Sequence, residues 1–205
     1  MESRSWSPRE PLQYRSMMLN KLERNEFSSN ASFTEFCHAL LARVRESLVG
    51  EDLTIAQKTF QGLLHKASAN SDDAFLTRWG GVVVTSHRFP RISKYLIINA
   101  MNFLDYEWHK RKDETLHIVE GYGVILSKRD KSSNEFSAHF AGPHGTFHFP
   151  PGVEHCILAV TDMIILEDAT DPMGMDKDLQ FLFQYEGVGT QSSSADNENG
   201  GEAPL

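Results

Sequence analysis

Residues 107–121 read Glu-Trp-His-Lys-Arg-Lys-Asp-Glu-Thr-Leu-His-Ile-Val-Glu-Gly, and residues 149–155 read Phe-Pro-Pro-Gly-Val-Glu-His. Alternate side chains of a strand share a face, so Glu107 and His109 point one way and Trp108 the other. The run 110–113 turns the chain, so that Glu114 begins a partner strand opposite His109. From Glu114 the same-face residues are Leu116, Ile118 and Glu120, while His117 lies on the other face. Parity makes His109 a ligand candidate and sets His117 aside. Pro150-Pro151-Gly152 is a rigid turn that opens a new strand near His155 and aims its ring into a barrel beside His109. Imidazole and carboxylate together suit Fe(II), Mn(II), Zn(II), Ni(II) or Co(II), and the pattern does not choose among them.

Outward from this stretch the chain is rich in short strands. After 70–73 come 82–85, 94–99, 103–109, 114–120, 122–127, 135–140, 146–149, 155–160, 163–167 and 179–185, separated by Gly, Pro, Asn and Asp. Many short strands with turn chemistry between them predict an antiparallel sandwich or barrel. Ahead of them, Phe33, Phe36, Cys37, Leu40, Leu41, Val44 and Leu48 recur at three- and four-residue spacing. That is one face of an amphipathic helix, with Ser32 or Thr34 to cap it and Gly50 to end it. A second helix is expected over 53–67, with Ile55, Phe60, Leu63 and Leu64 inward. The predicted organisation is a polar extension over 1–30, a helical segment over 31–70, a barrel over 71–186 and a disordered tail over 187–205.

With 205 residues and 40% hydrophobic content the chain can build one real core. A net charge of −8 argues against nucleic acid as a partner, since no basic face is evident. The run Lys110-Arg111-Lys112 is the one concentrated positive stretch. It reads as a solvated turn or as a contact for a substrate anion. No stretch approaches the ~18–20 apolar residues that span a bilayer, so no membrane is expected. Cys37 and Cys156 lie in segments of different character and suggest no disulfide framework. A cytoplasmic protein is the expectation.

The two motifs resemble those of the cupin superfamily, whose first runs Gly-x5-His-x-His-x3,4-Glu-x6-Gly and second Gly-x5-Pro-x-Gly-x2-His-x3-Asn. His109-x4-Glu114-x6-Gly121 fits the end of the first, and Gly145-x4-Pro150-Pro151-Gly152-x2-His155 fits the second, one residue short in its first gap. The resemblance covers about residues 75–185. It implies a double-stranded β-helix and marks His109, Glu114 and His155 as metal ligands. Two departures stand out: Glu107 replaces the first motif histidine, and Ala159 the final Asn. A Glu there still offers an oxygen donor, which favours harder divalent ions.

Within the superfamily the segment is most similar to sugar-metabolism cupins of the D-lyxose isomerase-like type. That implies a metal-dependent isomerase or epimerase of a small polar metabolite, in which an ion polarises a carbonyl and a carboxylate moves a proton. Glu107 is the candidate base, and Lys110, Lys112, Tyr122 and His148 are candidate substrate contacts. A non-haem iron dioxygenase or a lyase would use the same ligands. A non-catalytic binding or assembly module is the third reading. Barrels of this family commonly pair, so a homodimer is expected, and the helical segment is a candidate dimerisation or lid element.

Overall fold

The computed structural model describes residues 27–48, 53–128 and 136–185. Two helices, α1 (Asn30–Ser47) and α2 (Gln57–Ala67), precede the strands. These are β1 (Ala74–Thr77), β2 (Gly80–Arg88), β3 (Arg91–Ile98), β4 (Tyr106–His109), β5 (Asp113–Glu120), β6 (Gly123–Lys128), β7 (Ser137–Ala141), β8 (Thr146–Phe149), β9 (Glu154–Ala159), β10 (Met163–Thr170) and β11 (Leu179–Phe183). They form two antiparallel sheets, ordered β1-β2-β3-β10-β5-β8 and β11-β4-β9-β6-β7. The chain passes repeatedly from one sheet to the other, as in the double-stranded β-helix expected from the motifs.

Strand parity sorts the side chains. Leu96, Ile98, Leu116, Ile118, Ile125, Ile157, Met163 and Ile165 fill the space between the sheets, each fully buried apolar side chain contributing roughly 1.5–3 kcal/mol. The opposite faces are covered by the helices. Phe33, Cys37, Leu40, Leu41 and Val44 of α1 pack with Phe103 and with Tyr106, Cys156 and Leu158 of the five-stranded sheet. The Phe33 ring stacks on Phe183 with centroids 4.8 Å apart. Phe60, Leu63 and Leu64 of α2 pack against Ile97 and Ile164 of the six-stranded sheet. The helices therefore complete the core from outside as a cover for the sheets.

Several expectations shift in detail. Ser29 caps α1, because Ser29 and Ser32 exchange side-chain to backbone hydrogen bonds as a capping box. The second helix begins at Gln57, and the N–H of its N-cap residue Ala56 is donated to Glu120 Oε2 at 2.7 Å. A β-bulge near Ile164 turns Glu120 to the outer face, away from Glu114. Most consequentially, β4 and β5 do not pair. They lie in different sheets, with 110–112 crossing between them, so Glu114 does not begin a strand alongside His109. Phe103 makes only an isolated bridge to Leu158, and β1 went unanticipated.

Phe27, counted in the polar extension, is buried against Phe33 and Phe183. Residues 1–26 of the extension, Gly50 and the proposed tail lie outside the described residues. Cys37 and Cys156, far apart in sequence, meet where α1 crosses β9. Burial, and contact with Cys37, push the Cys156 thiol well above its ordinary range, and its Sγ donates to the Leu104 carbonyl at 3.1 Å. Both thiols are free. Among the described residues no helix is long and apolar enough to cross a membrane.

Candidate functional site

One end of the barrel interior is charged where the rest is aliphatic. β4 supplies Glu107 and His109, β5 Glu114, β9 His155, β3 Lys94 and β10 Glu167. The crossover 110–112 adds Lys112, and the loop 171–178 adds Asp176 and Asp178. Glu107 is the direct cross-strand partner of His155, so the two motif regions read in the sequence meet here.

The two imidazoles are oriented from behind. His155 Nδ1 lies 3.2 Å from the Val153 carbonyl oxygen, and its ring stacks on Phe149 with centroids 4.3 Å apart. His109 Nδ1 lies 3.1 Å from Asp178 Oδ1. Both Nε2 atoms thereby turn inward towards one atom, Glu114 Oε1, at 2.8 Å from His155 and 3.9 Å from His109. That oxygen is buried and has no correctly directed hydrogen bond, so the close approach of the His155 ring leaves it unsatisfied.

Two imidazole nitrogens and an orphaned carboxylate oxygen are the right donor kinds for a divalent ion. Ligands about 2.1 Å from one ion stand about 3.0–3.4 Å apart, so His109 is a little too distant for closed coordination. Among the described residues no three such groups are already spaced to hold an ion. The donor set fits a metal in kind but is not spaced as a closed site, with His109 and His155 at 3.9 and 2.8 Å from the shared oxygen.

Lys112 complicates the electrostatics. Its Nζ lies 2.6 Å from Glu114 Oε2, 2.6 Å from Glu167 Oε1 and 2.7 Å from Asp176 Oδ1. Lys94 Nζ lies 3.3 Å from Glu167 Oε1 and is bonded to Asp176 Oδ2. Burial opposes both ammonium charges, but the surrounding carboxylates outweigh it and hold both lysines above their ordinary values. Conversely, burial opposes the Glu114 carboxylate, and Lys112 with His155 holds it well below the usual range. The histidines diverge. Burial and Lys112 lower His109, whereas Glu114 and Glu107 overcome burial and raise His155.

Glu107 lines a cavity of about 260 Å³ together with Lys94, Lys112, Glu167 and Asp176. Burial pushes its carboxyl up to about 8, against the attraction of His155. It therefore carries a proton at neutral pH while its neighbours Glu114 and Asp176 do not.

Of the candidate substrate contacts, the structure brings only Lys112 to the site. Lys110 is exposed on the crossover. Tyr122 stacks on Phe140, centroids 5.9 Å apart, within the cluster around α1. His148 is on the outside with its Nε2 3.0 Å from Asp113 Oδ1. Four charged residues went unsuspected: Lys94, Glu167, Asp176 and Asp178. Parity would have found the first two, since Lys94 shares a face with Ile92 and Leu96, and Glu167 with Met163 and Ile165. Asp176 and Asp178 sit on an irregular loop, where no periodicity applies.

No family model matches the sequence, and no curated protein matches it. Solved structures do. The capsular polysaccharide assembling protein CapF of Staphylococcus aureus is 22% identical, over 56% of this chain and 33% of that one, with a TM-score of 0.46. Oxalate decarboxylase of Bacillus subtilis is 18% identical, over 52% and 29%, with a TM-score of 0.47. KdgF from Halomonas is 13% identical, over 50% and 87%, with a TM-score of 0.42. The chain thus spans a third or less of the first two, and likeness at this level carries no statement about activity. By its own strand order the chain is a mainly β protein, two antiparallel sheets arranged as a double-stranded β-helix.

Proposed function

We propose that this chain is a metal-dependent enzyme acting on a small polar metabolite, with isomerase or epimerase chemistry on a sugar as its leading form. The observation that carries the reading is Glu107: a carboxyl at a cavity wall, opposite His155, with a proton affinity near 8. A group that gains and loses its proton close to neutrality is suited to general acid–base work.

His109, Glu114 and His155 would hold the ion, with Glu107 able to add a further oxygen, and Mn, Fe, Ni, Co or Zn are the candidate metals. When bound, the ion supplies Lewis-acid polarisation of a substrate carbonyl. The chain's own residues do the rest. Glu107, in the fraction of molecules where its own proton has left, would take a proton from one carbon and return it to the next. Asp178 fixes the His109 ring, and Lys112 neutralises the Glu114 oxygen that faces away from the histidines. Walls of Phe75, Trp79 and Leu104 limit water in the cavity. Proton transfer of this kind fits the D-lyxose isomerase-like resemblance better than oxygen chemistry, which needs no such acid. The positions of Lys110, Tyr122 and His148 lend no support to substrate roles.

One observation favours a second reading. The Lys112 ammonium already sits among three carboxylates, as a built-in cation would in a non-catalytic binding barrel. The two separate in heavy water. With the metal-loaded protein and a panel of aldoses and ketoses, the enzyme reading expects solvent deuterium at the substrate carbon. It also expects that Glu107→Gln abolishes the exchange and that no oxygen is consumed. Unlabelled sugars throughout would leave the binding barrel, and oxygen uptake would indicate a dioxygenase. A homodimer belongs to the proposal as well. The sheets end in β1, β8, β7 and β11, and such edges gain from being covered. A monomeric mass by light scattering would remove it.

A further inference from the structure

The loop between β10 and β11 puts a carboxylate where the rest of the site would accept one. Lys94 and Lys112 are fixed on the barrel wall and nearly inaccessible, their side chains 7% and 1% exposed. Asp176 bridges them, Oδ1 on Lys112 at 2.7 Å and Oδ2 on Lys94. The other carboxylates on these lysines, Glu114 and Glu167, are strand residues and 4% exposed. Asp176 is 27% exposed and comes from a loop, so it is the exchangeable partner of the pair.

The loop is organised to deliver that carboxylate. Asp171 accepts hydrogen bonds from the N–H groups of Met173, Gly174 and Asp176 at 3.1, 2.8 and 2.8 Å, so the turn is a preformed unit. Met175 and Asp176 both have left-handed backbone, φ 50° and 58°. That region is unfavourable for residues other than glycine, and strain of this kind concentrates at ligand clamps and switches. The contacts of Asp176 with the two lysines offset it.

Asp176 also borders the 260 Å³ cavity, together with both lysines and the apolar side chains Phe75, Trp79, Leu104 and Phe181. If the loop withdrew with nothing in exchange, Lys94 would keep only Glu167, and a buried ammonium short of partners is strongly unfavourable. Withdrawal therefore requires another anion. We propose that Asp176 is an internal stand-in for the ligand's acid group: the site takes a small organic carboxylate, which displaces Asp176 from Lys94 and Lys112 while its carbon skeleton lies on the aromatic wall. This deepens the functional reading above by naming the substrate class as acidic, and rests on that reading only for turnover. Binding itself involves the lysines and not the metal.

The test uses the full chain, with hexanoate as probe and hexanamide as its neutral isostere, by titration calorimetry. Hexanoate should bind at least tenfold more tightly than hexanamide. Asp176→Ala, freed of the internal competitor, should bind hexanoate at least tenfold more tightly than the parent, and Lys94→Met should lose the preference for the acid. Should Asp176→Ala not fold, amide hydrogen exchange in the unaltered protein decides: saturating hexanoate should accelerate exchange at 173–176, because the acid opens the loop. Equal affinity for acid and amide, or unchanged or slowed exchange at 173–176, would overturn the proposal. Repeating the titration in a chelator separates the two readings. Unchanged affinity is expected even if the metal-enzyme reading fails, and loss of binding would assign the acid to a metal and overturn the lysine site.

Discussion

Glu107 and His155 face each other directly across the β4–β9 pair, and their proton affinities are linked. Burial drives Glu107 up to about 8 while His155 attenuates the rise, and Glu107 in turn helps raise His155 against its own burial. The folded state binds a proton on Glu107 that the unfolded chain, near 4.5, has lost. Stability contributed by this group is therefore full below about pH 4.5 and declines as pH rises to about 8. In metal-free protein, Glu107→Gln should be the more stable by roughly 3–5 kcal/mol at pH 9, with the advantage shrinking towards pH 5. Urea melts across that range measure it. A constant difference would mean that Glu107 is not perturbed.

Lys112 is the hub of the carboxylate cluster, contacting Glu114, Glu167 and Asp176 from a side chain only 1% exposed. Lys112→Met keeps the apolar stem but removes the cation that Glu114, Glu167 and Asp176 share, leaving them His155 and Lys94. We expect a loss of about 3–5 kcal/mol in equilibrium unfolding at pH 7. A loss below about 1 kcal/mol would show that the cluster is solvated and that Lys112 is not its hub.

Asp176 provides the complementary acid limb. Burial opposes its charge, yet Lys94 and Lys112 hold the carboxyl below its ordinary value. Its stabilisation is present above about pH 4 and is lost as pH falls through the lower folded value. Asp176→Asn should therefore be less stable than the parent at pH 7, and the gap should close on acidification below pH 4. A gap that widens in acid would contradict the ion pairing.

Asp178 positions rather than binds. Its carboxylate orients His109 through Nδ1 and accepts the N–H groups of Arg111 and Lys112 at 2.6 and 3.1 Å. Asp178→Ala should weaken metal affinity about 10- to 100-fold, as losses behind a ligating histidine do. Competition with a chromophoric chelator reads this directly, and unchanged affinity would remove His109 from the ligand set.

The barrel was legible because its signals are local. Pro150-Pro151-Gly152 before His155 and the alternation around Leu116 and Ile118 both survive in the structure. The pairing of β4 with β9, and not with β5, was not legible. A short polar run such as 110–112 reads equally as a hairpin turn or as a crossover between sheets, and only the closed barrel decides. Glu120 shows the other failure, since one bulge reverses every parity beyond it. The anion-bridged lysines divide in the same way. Lys94 interrupts an inward aliphatic row and could have been suspected, whereas Asp176 reaches it across 82 residues from a loop.

Metal content of the purified protein, by inductively coupled plasma mass spectrometry, shows whether His109, Glu114 and His155 hold an ion when set beside the His109→Ala/His155→Ala variant. Near-stoichiometric Mn, Fe, Ni, Co or Zn is expected in the parent, and its loss in the variant. Absence of metal from both, even after reconstitution, would contradict it and leave a barrel whose charged interior is balanced by Lys94 and Lys112 alone.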